Sequence, residues 1–470
     1  MTGTDADNDG VISLLLLLCR TGFTDDERKR ASAEVRLMQD WKRFTDLTVR
    51  HGVAALVWQS LSDLSLAAPV PETERTILEG SRLRSVARVA YITSVAAEVA
   101  KRLEKEGIRV VLLKGLALEH QLYGAKGLRQ MSDADLLVSP GDALRARNIL
   151  VKAGFVSNSL KSRLYRHIIL DIGNHLPELH RGGMSVDLHH RLFGKKGTEM
   201  VAAAIKNAEL ISAGGRSLFV LPPLAAFLGL VSHIGKHEIK GEFQLRLYID
   251  IYLLLKKYHS EILCEKLPAA AAEAGIEKET MEVLTLMERV WGLTVPLKSV
   301  TVAYSGAAST FGESARILTV PGESGMAIKR DAAPTLAVRA PGLTESVESG
   351  MVPETGGAPT IAGRKYVLPG SSGINRFEEQ QLVEAFLAKI RQPWSVQSIN
   401  QREFFLRNLR SFDSWWKRAI FIAGDLFPSL EFMKRRYGCR TGLKTLLFYP
   451  HRLGKLAWIL GLKRSGYQDD

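Results

Sequence analysis

The sequence predicts an α+β protein, with one mixed-sheet domain flanked by helical regions. Three observations carry this expectation. On both sides of a central segment, apolar residues recur at three- and four-residue spacing, the period of an amphipathic helix. Inside that segment, short apolar runs alternate with helical stretches and are separated by turn residues. One of those runs, MSDADLLVS, carries two acids on a single face.

The elements follow in order. Residues 1–104 read as a helical region. Thr24 suits an N-cap, because Asp and Glu fill the turn after it. RLRSVARVAYITSVAAEVAKRLEKEG keeps the helical spacing as far as Gly107. IRVVLLKG (108–115) reads as a buried strand ending at Gly115, LALEHQLYG as a short helix, and MSDADLLVS as the next strand. PGDALRARNILVKAGF is a helix with its N-cap near Ser139 or Asp142 and Gly154 at its C-terminal end. HLPELHR (175–181) and MSVDLHHRL (184–192) are further strands, joined by the turn signal Gly182-Gly183.

Helices resume near Pro222 and divide near Gly241. Residues 301–373 are dense in Gly, Pro, Ser, Thr and Ala and read as a flexible insertion. From 375 to 470 there are 17 Lys and Arg against 9 Asp and Glu, so a basic helical region closes the chain. The expected divisions are 1–104 (helical), 105–221 (sheet domain), 222–300 (helical), 301–373 (insertion) and 374–470 (basic, helical).

Composition narrows the function classes. A chain of 470 residues forms its cores without disulfide or metal staples. The net charge of +13 favours anionic partners such as nucleotides, nucleic acid or a membrane surface, without selecting among them. Cys19, Cys264 and Cys439 are widely spaced, and no CxxC motif is present, so neither a disulfide framework nor a zinc site is implied. The acidic start MTGTDADNDG lacks a basic n-region, and VISLLLLLC is too short to cross a bilayer. A cytoplasmic protein with no transmembrane segment is the expectation.

The acidic strand poses the chemical question. Asp133 and Asp135 share a strand face about 6.5 Å apart, where like charges repel. Either the strand starts at a wet rim, or a cation sits between them. Asp187, about fifty residues on, lies on a strand of similar character. If the two strands are neighbours, three carboxylates converge. Such a set suits Mg²⁺, which prefers oxygen ligands completed by water and phosphate. Two ions roughly 3.5–4 Å apart can activate a hydroxyl and stabilise a leaving pyrophosphate.

VVLLKGLALEHQLYGAKGLRQMSDADLLV followed by VDLHHRL resembles the bacterial nucleotidyltransferases of the polymerase-β-like superfamily. More narrowly, it resembles an uncharacterised nucleotidyltransferase family with the pattern L-K-G, Arg, D-x-D-L-L-V, (V/I)-D-L-H. SHIGKHEIKGEFQLRLYIDIYLLL extends the resemblance, which fades over 300–375 and returns weakly at LFPSLEFMKRRYG and LFYPHRL. The resemblance implies a nucleotidyltransferase domain with Asp133 and Asp135 as metal-binding acids. It implies Asp187 as the third ligand and a proton acceptor. Lys114 and Gly115 stand where many superfamily members have Gly-Ser or Gly-Gly; a loop opening a helix there is a phosphate site. Arg129 matches the Arg before D-x-D, and its planar fork suits phosphate.

Other assignments compete at several positions. Arg129 suits a salt bridge to a nearby acid almost as well as a phosphate. His189, two residues after Asp187, shares its face, and a structural role competes with a substrate role. His233 and His237 have zinc spacing but no HExxH glutamate. Lys236 could hold a triphosphate tail or be a solvated charge. Arg246 and Asp250, four apart, suggest an intrahelical ion pair. SFDSWWKRAIF and MKRRYGCRTGLK read as core packing with a basic face, or as contact with an anionic partner.

The expected reaction uses an NTP, ATP foremost, with Mg²⁺. It transfers the nucleoside monophosphate to an unidentified small molecule, protein or RNA. The alternative is a catalytically inactive module of the same fold that binds nucleotide or nucleic acid.

Overall fold

A computed structural model of the chain describes residues 3–193, 198–239, 241–295, 376–391, 401–438, 442–450 and 454. The insertion expected at 301–373 lies outside the described residues. Four helices come first: α1 (Gly3–Leu18), α2 (Asp25–Leu37), α3 (Trp41–Arg50) and α4 (Ala54–Asp63). Thr24 caps α2 as its sequence predicts. The Thr24 side chain accepts from the Glu27 N–H while the Glu27 carboxylate accepts from the Thr24 N–H. α5 (Glu72–Glu104) follows; its 33 residues span about 50 Å. Its early turns add Leu78 to the apolar cluster formed with α1, α3 and α4, and its later turns, Val89 to Leu103, pack on the sheet.

The sheet forms from β1 (Val111–Leu112), β2 (Asp133–Leu137), β3 (Val156–Ser157), β4 (Leu179–Arg181), β5 (Met184–His189), β6 (Glu209–Ala213) and β7 (Arg216–Val220). Helices α6 (Lys114–Leu122), α7 (Ala143–Lys152) and α8 (Thr198–Lys206) interrupt it. The strand order is β3-β4-β5-β2-β1-β7-β6. β2–β5 and β1–β7 run parallel and the other pairs antiparallel, so the sheet is mixed.

Three differences from the sequence reading appear in the sheet. The run 108–115 yields only β1, because the chain turns into α6 at Lys114; the Leu113 N–H still donates to the Asp135 carbonyl at 2.9 Å. The β6–β7 hairpin was not anticipated. Gly214 and Gly215 both have positive φ (59° and 73°), which a two-residue hairpin turn with the right twist requires. The expected strand 175–181 shortens to β4, with His175 forming a single bridge to His189.

After the sheet come α9 (Pro223–Ile239), α10 (Leu245–Lys257), α11 (His259–Ile262), α12 (Leu267–Ala274) and α13 (Glu277–Trp291). α14 (Arg376–Arg391), α15 (Gln401–Ser411), α16 (Trp415–Leu426), α17 (Leu430–Tyr437) and α18 (Gly442–Leu446) follow. Apolar faces of α9, α10, α12 and α13 join those of α1 to α4, and Phe386 and Ile390 of α14, in one core. A small separate cluster packs Phe405, Phe412 and Phe421 against Tyr165 and Ile168. Part of the aromatic set near the C-terminus is therefore core, whereas Trp415 is exposed.

Candidate active site

A cleft of about 670 Å³ opens over β2 and β5, beside the loop from β1 into α6. α9 and the start of α10 form its other wall, and Asn408 and Ser411 of α15 complete its lining. Asp133, Asp135, Asp187, Lys114, Gly115, Arg129 and Lys236, the positions nominated by the sequence, all line it.

Strand register brings the acids together. In the parallel β2–β5 pair, Asp135 stands opposite Asp187 and Asp133 opposite Ser185. Paired residues share a face, so all three acids and His189 project to one side of the sheet. One ligand atom each from Asp135, Asp187 and His189 lies within 4.8 Å of the others. Asp133 lines the same cleft but is outside this trio. His190 faces the other way, with Nδ1 at 2.9 Å from the Asn174 carbonyl.

The acids differ electrically. Asp135 is buried, which by itself raises its pKa. Its Oδ1 is 2.7 Å from both the Lys114 ammonium and His189 Nε2, and these neighbours hold the carboxyl well below its usual range. An ionised carboxylate only accepts, so His189 donates its Nε2–H. Burial and Lys114 push the His189 pKa down to about 3, which keeps the ring neutral. Burial pushes Asp187 up to about 7, with Asp135 and Asp133 adding repulsion. Its Oδ1 is buried without a hydrogen-bond partner, a sign that this oxygen is shaped for a cation or a proton. Asp133 is also raised, by burial and then by Asp135. Two carboxylates and a neutral imidazole, one oxygen orphaned, fit a divalent cation.

The loop opposite is held under strain. Lys114 adopts φ +43°, a left-handed conformation uncommon outside glycine. α6 starts there with no side-chain cap on its first N–H groups. A Cβ on Gly115 would lie 2.5 Å from Arg129 Nη1, so this position accepts only glycine without rearrangement.

Arg129 lines the cleft, but its Nε and Nη2 are committed to Asp250. Its Nε lies 3.0 and 2.9 Å from the two Asp250 carboxylate oxygens, and its Nη2 is 2.8 Å from Oδ2. The expected Arg246–Asp250 pair is replaced by this one. Asp250 lies on the fully buried face of α10, where the buried guanidinium requires a full counter-charge. Arg246 instead donates to Gln244 Oε1 at 2.9 Å and to the Gln130 carbonyl at 3.1 Å.

Sequence reasoning missed Glu119 and Tyr123. Buried Glu119 accepts from the N–H groups of Gly127 (2.6 Å) and Arg129 (2.8 Å), and Tyr123 donates to Asp250 at 2.9 Å. A signal existed: Leu116, Glu119 and Tyr123 fall at three- and four-residue spacing on one apolar helix face. His233 and His237 are 3.1 Å apart through their Nε2 atoms, and His237 Nδ1 is 2.5 Å from Glu242. That bonding matches no HExxH site.

The mixed sheet with acids on adjacent parallel strands, beside a strand–loop–helix turn, agrees with the nucleotidyltransferase domain that the sequence resemblance implies. A family model described as an uncharacterised nucleotidyltransferase matches residues 38–292, more than half of the chain, and the chain belongs to that family. No curated protein and no solved structure matches it. Among the described residues, no helix is long and apolar enough to cross a membrane.

Proposed function

We propose that the protein transfers a nucleoside monophosphate from an NTP, ATP foremost, to an acceptor nucleophile, with Mg²⁺ as cofactor and two ions engaged. An acceptor oxygen or nitrogen forms a bond to the α-phosphorus, the bond to the β-phosphate oxygen breaks, and pyrophosphate leaves. The observation that carries this reading is the facing pair Asp135 and Asp187, with the buried, unpartnered Asp187 Oδ1.

Asp133 and Asp135 hold the cation that arrives with the nucleotide, and Asp187 takes the acceptor's proton while completing the inner ligand set. A carboxyl with a pKa near 7 is suited to proton acceptance at neutral pH. When bound, the divalent ions offset polyphosphate charge and acidify the attacking group. Lys114 and the Gly115 loop receive the triphosphate at the α6 N-terminus, and Lys236 reaches it from α9. Arg129 braces Gly115 from beneath. The net charge of the chain favours an anionic acceptor or partner, and a small molecule, a protein or an RNA end all accept by this chemistry.

A second reading rests on the Lys114–Asp135 contact at 2.7 Å, which places a cation in the site without a metal. A module that only binds nucleotide or nucleic acid would be built that way.

Incubation with each α-labelled triphosphate, Mg²⁺ and a cell lysate, followed by separation of protein, RNA and small molecules, decides between the two. Label should enter one fraction. Asp187→Asn should lower that transfer by about 10²–10⁴-fold while triphosphate binding falls less. Binding without transfer from any triphosphate supports the binding module.

A further inference from the structure

The inner ligand set contains a nitrogen, and this has consequences for the ion it takes. His189 follows Asp187 by two residues on β5, so the strand points both side chains at the same space. The His189 ring is 5 % exposed and its Nε2 already lies 2.7 Å from Asp135 Oδ1. The three ligand atoms are within 4.8 Å of one another. A six-coordinate ion about 2.1 Å from each ligand needs separations of about 3 Å for adjacent ligands and about 4.2 Å for opposite ones. The Asp135 Oδ1–His189 Nε2 separation of 2.7 Å is already close to the adjacent-ligand value. The buried Asp187 Oδ1, which has no hydrogen-bond partner, belongs to the same carboxylate.

We propose that His189 is a direct ligand of the inner cation, together with Asp135 and Asp187, and that this site takes a divalent transition ion, for which Mn²⁺ is the probe, in preference to Mg²⁺. The proposal rests on the nucleotidyl-transfer reading for its role, and on the trio alone for its chemistry. Mg²⁺ is hard, dehydrates reluctantly and prefers oxygen, whereas imidazole is a donor for transition ions. Two carboxylates supply the charge and the imidazole supplies the selectivity. On ligation Nε2 loses its proton and the neutral ring carries one on Nδ1 instead, so His189 changes tautomer without changing charge. The Lys114 ammonium, now 2.7 Å from Asp135 Oδ1, repels an arriving dication and moves towards the triphosphate. Asp133, outside the trio, remains for the nucleotide's own Mg²⁺.

Mn²⁺ titrated into the full-length protein without nucleotide, read by calorimetry and by electron-spin-echo modulation, tests the ligand directly. The expected result is Mn²⁺ binding at least tenfold tighter than Mg²⁺, with ¹⁴N modulation from a coordinated imidazole. His175, whose ring centroid is 5.2 Å from that of His189, and His233, which lines the same cleft, are neighbouring sources of nitrogen. The modulation should persist in His175→Asn and in His233→Asn and vanish in His189→Gln. If His189→Gln fails to fold, ¹⁵N-histidine labelling of the His175→Asn, His233→Asn double variant tests the same assignment, with both of these rings removed. Bound Mn²⁺ without nitrogen coupling, coupling that survives in folded His189→Gln, equal affinity for Mg²⁺, or no bound Mn²⁺ each overturns the proposal. Label transfer with Mg²⁺ is scored separately. Transfer without nitrogen coupling overturns the ligand assignment and leaves the reaction standing; coupling without transfer does the reverse.

Discussion

Asp250→Ala should be among the most destabilising single changes in the molecule, although Asp250 is far in sequence from the acidic strand. Asp250 is fully buried and Arg129 is 7 % exposed, so neither charge has water to turn to. Three contacts of 2.8 to 3.0 Å join them, and Tyr123 donates to the same carboxylate. Removing one partner of a buried pair leaves an uncompensated charge and costs about 3–5 kcal/mol. The lost acceptor for Tyr123 adds about 1 kcal/mol. Against a total stability of about 5–15 kcal/mol this is a large fraction. Urea unfolding followed by tryptophan fluorescence should show the midpoint drop. Arg129→Met combined with Asp250→Leu should recover most of it, because well-packed apolar residues replace a buried pair at little net cost. The double variant should nevertheless bind triphosphate more weakly, since Gly115 loses its brace. A loss below about 1 kcal/mol in the single variant, or no recovery in the double, would refute this account of the pair.

Gly115→Ala places a methyl 2.5 Å from Arg129 Nη1, and a cost of about 1–3 kcal/mol with weakened triphosphate binding is expected; thermal melting and nucleotide titration check both. Lys114→Met removes the ammonium beside Asp135, so divalent-cation affinity without nucleotide should rise while triphosphate affinity falls, both readable by calorimetry. Divalent-cation affinity should also climb with pH up to about 7 and then level, because Asp187 must lose a proton held up to about 7 by burial. The sign for stability is the reverse. The folded, metal-free protein binds that proton more tightly than the unfolded chain, so this group's contribution is complete below about pH 4 and is lost as pH rises to about 7. Asp187→Asn should therefore exceed the wild type in stability above pH 7, an advantage that shrinks on acidification.

The parts of this site legible in the sequence were those set by local alternation. Asp133, Asp135, Asp187 and His189 could be assigned faces because strand side chains alternate with period two, whatever the strand's neighbours. The pairing of β2 with β5 could not be read, because register depends on the whole sheet. It became visible only with Asp135 opposite Asp187. The β6–β7 hairpin was legible in principle from ELISAGGRSLFV, whose glycine pair is a turn signal between alternating runs. The partner of Asp250 was not. Two residues four apart on a helix always look like a pair, but α10 buries Asp250 and sends Arg246 to the Gln130 carbonyl, in the segment before β2.

That choice also explains why the family match covers more than the sheet. The match runs from residue 38 to residue 292, taking in α3 to α5 before the strands and α9 to α13 after them. If the acids alone were needed, β1 to β7 with their intervening helices would suffice. The phosphate-facing loop, however, is held from the helical side. Asp250 of α10 fixes Arg129, Arg129 lies beneath Gly115, and Glu119 of α6 holds the Gly127 and Arg129 backbone in place. Gly127 itself can sit there only because it has no side chain: a Cβ would lie 2.6 Å from the Val86 Cα of α5. The strained Lys114 conformation is thus maintained by contacts from helices on both flanks of the sheet. A sheet domain cut away at residues 105 and 221 would retain all three acids but lose Val86 and Asp250. Its Lys114–Gly115 turn would then have no reason to keep a left-handed backbone.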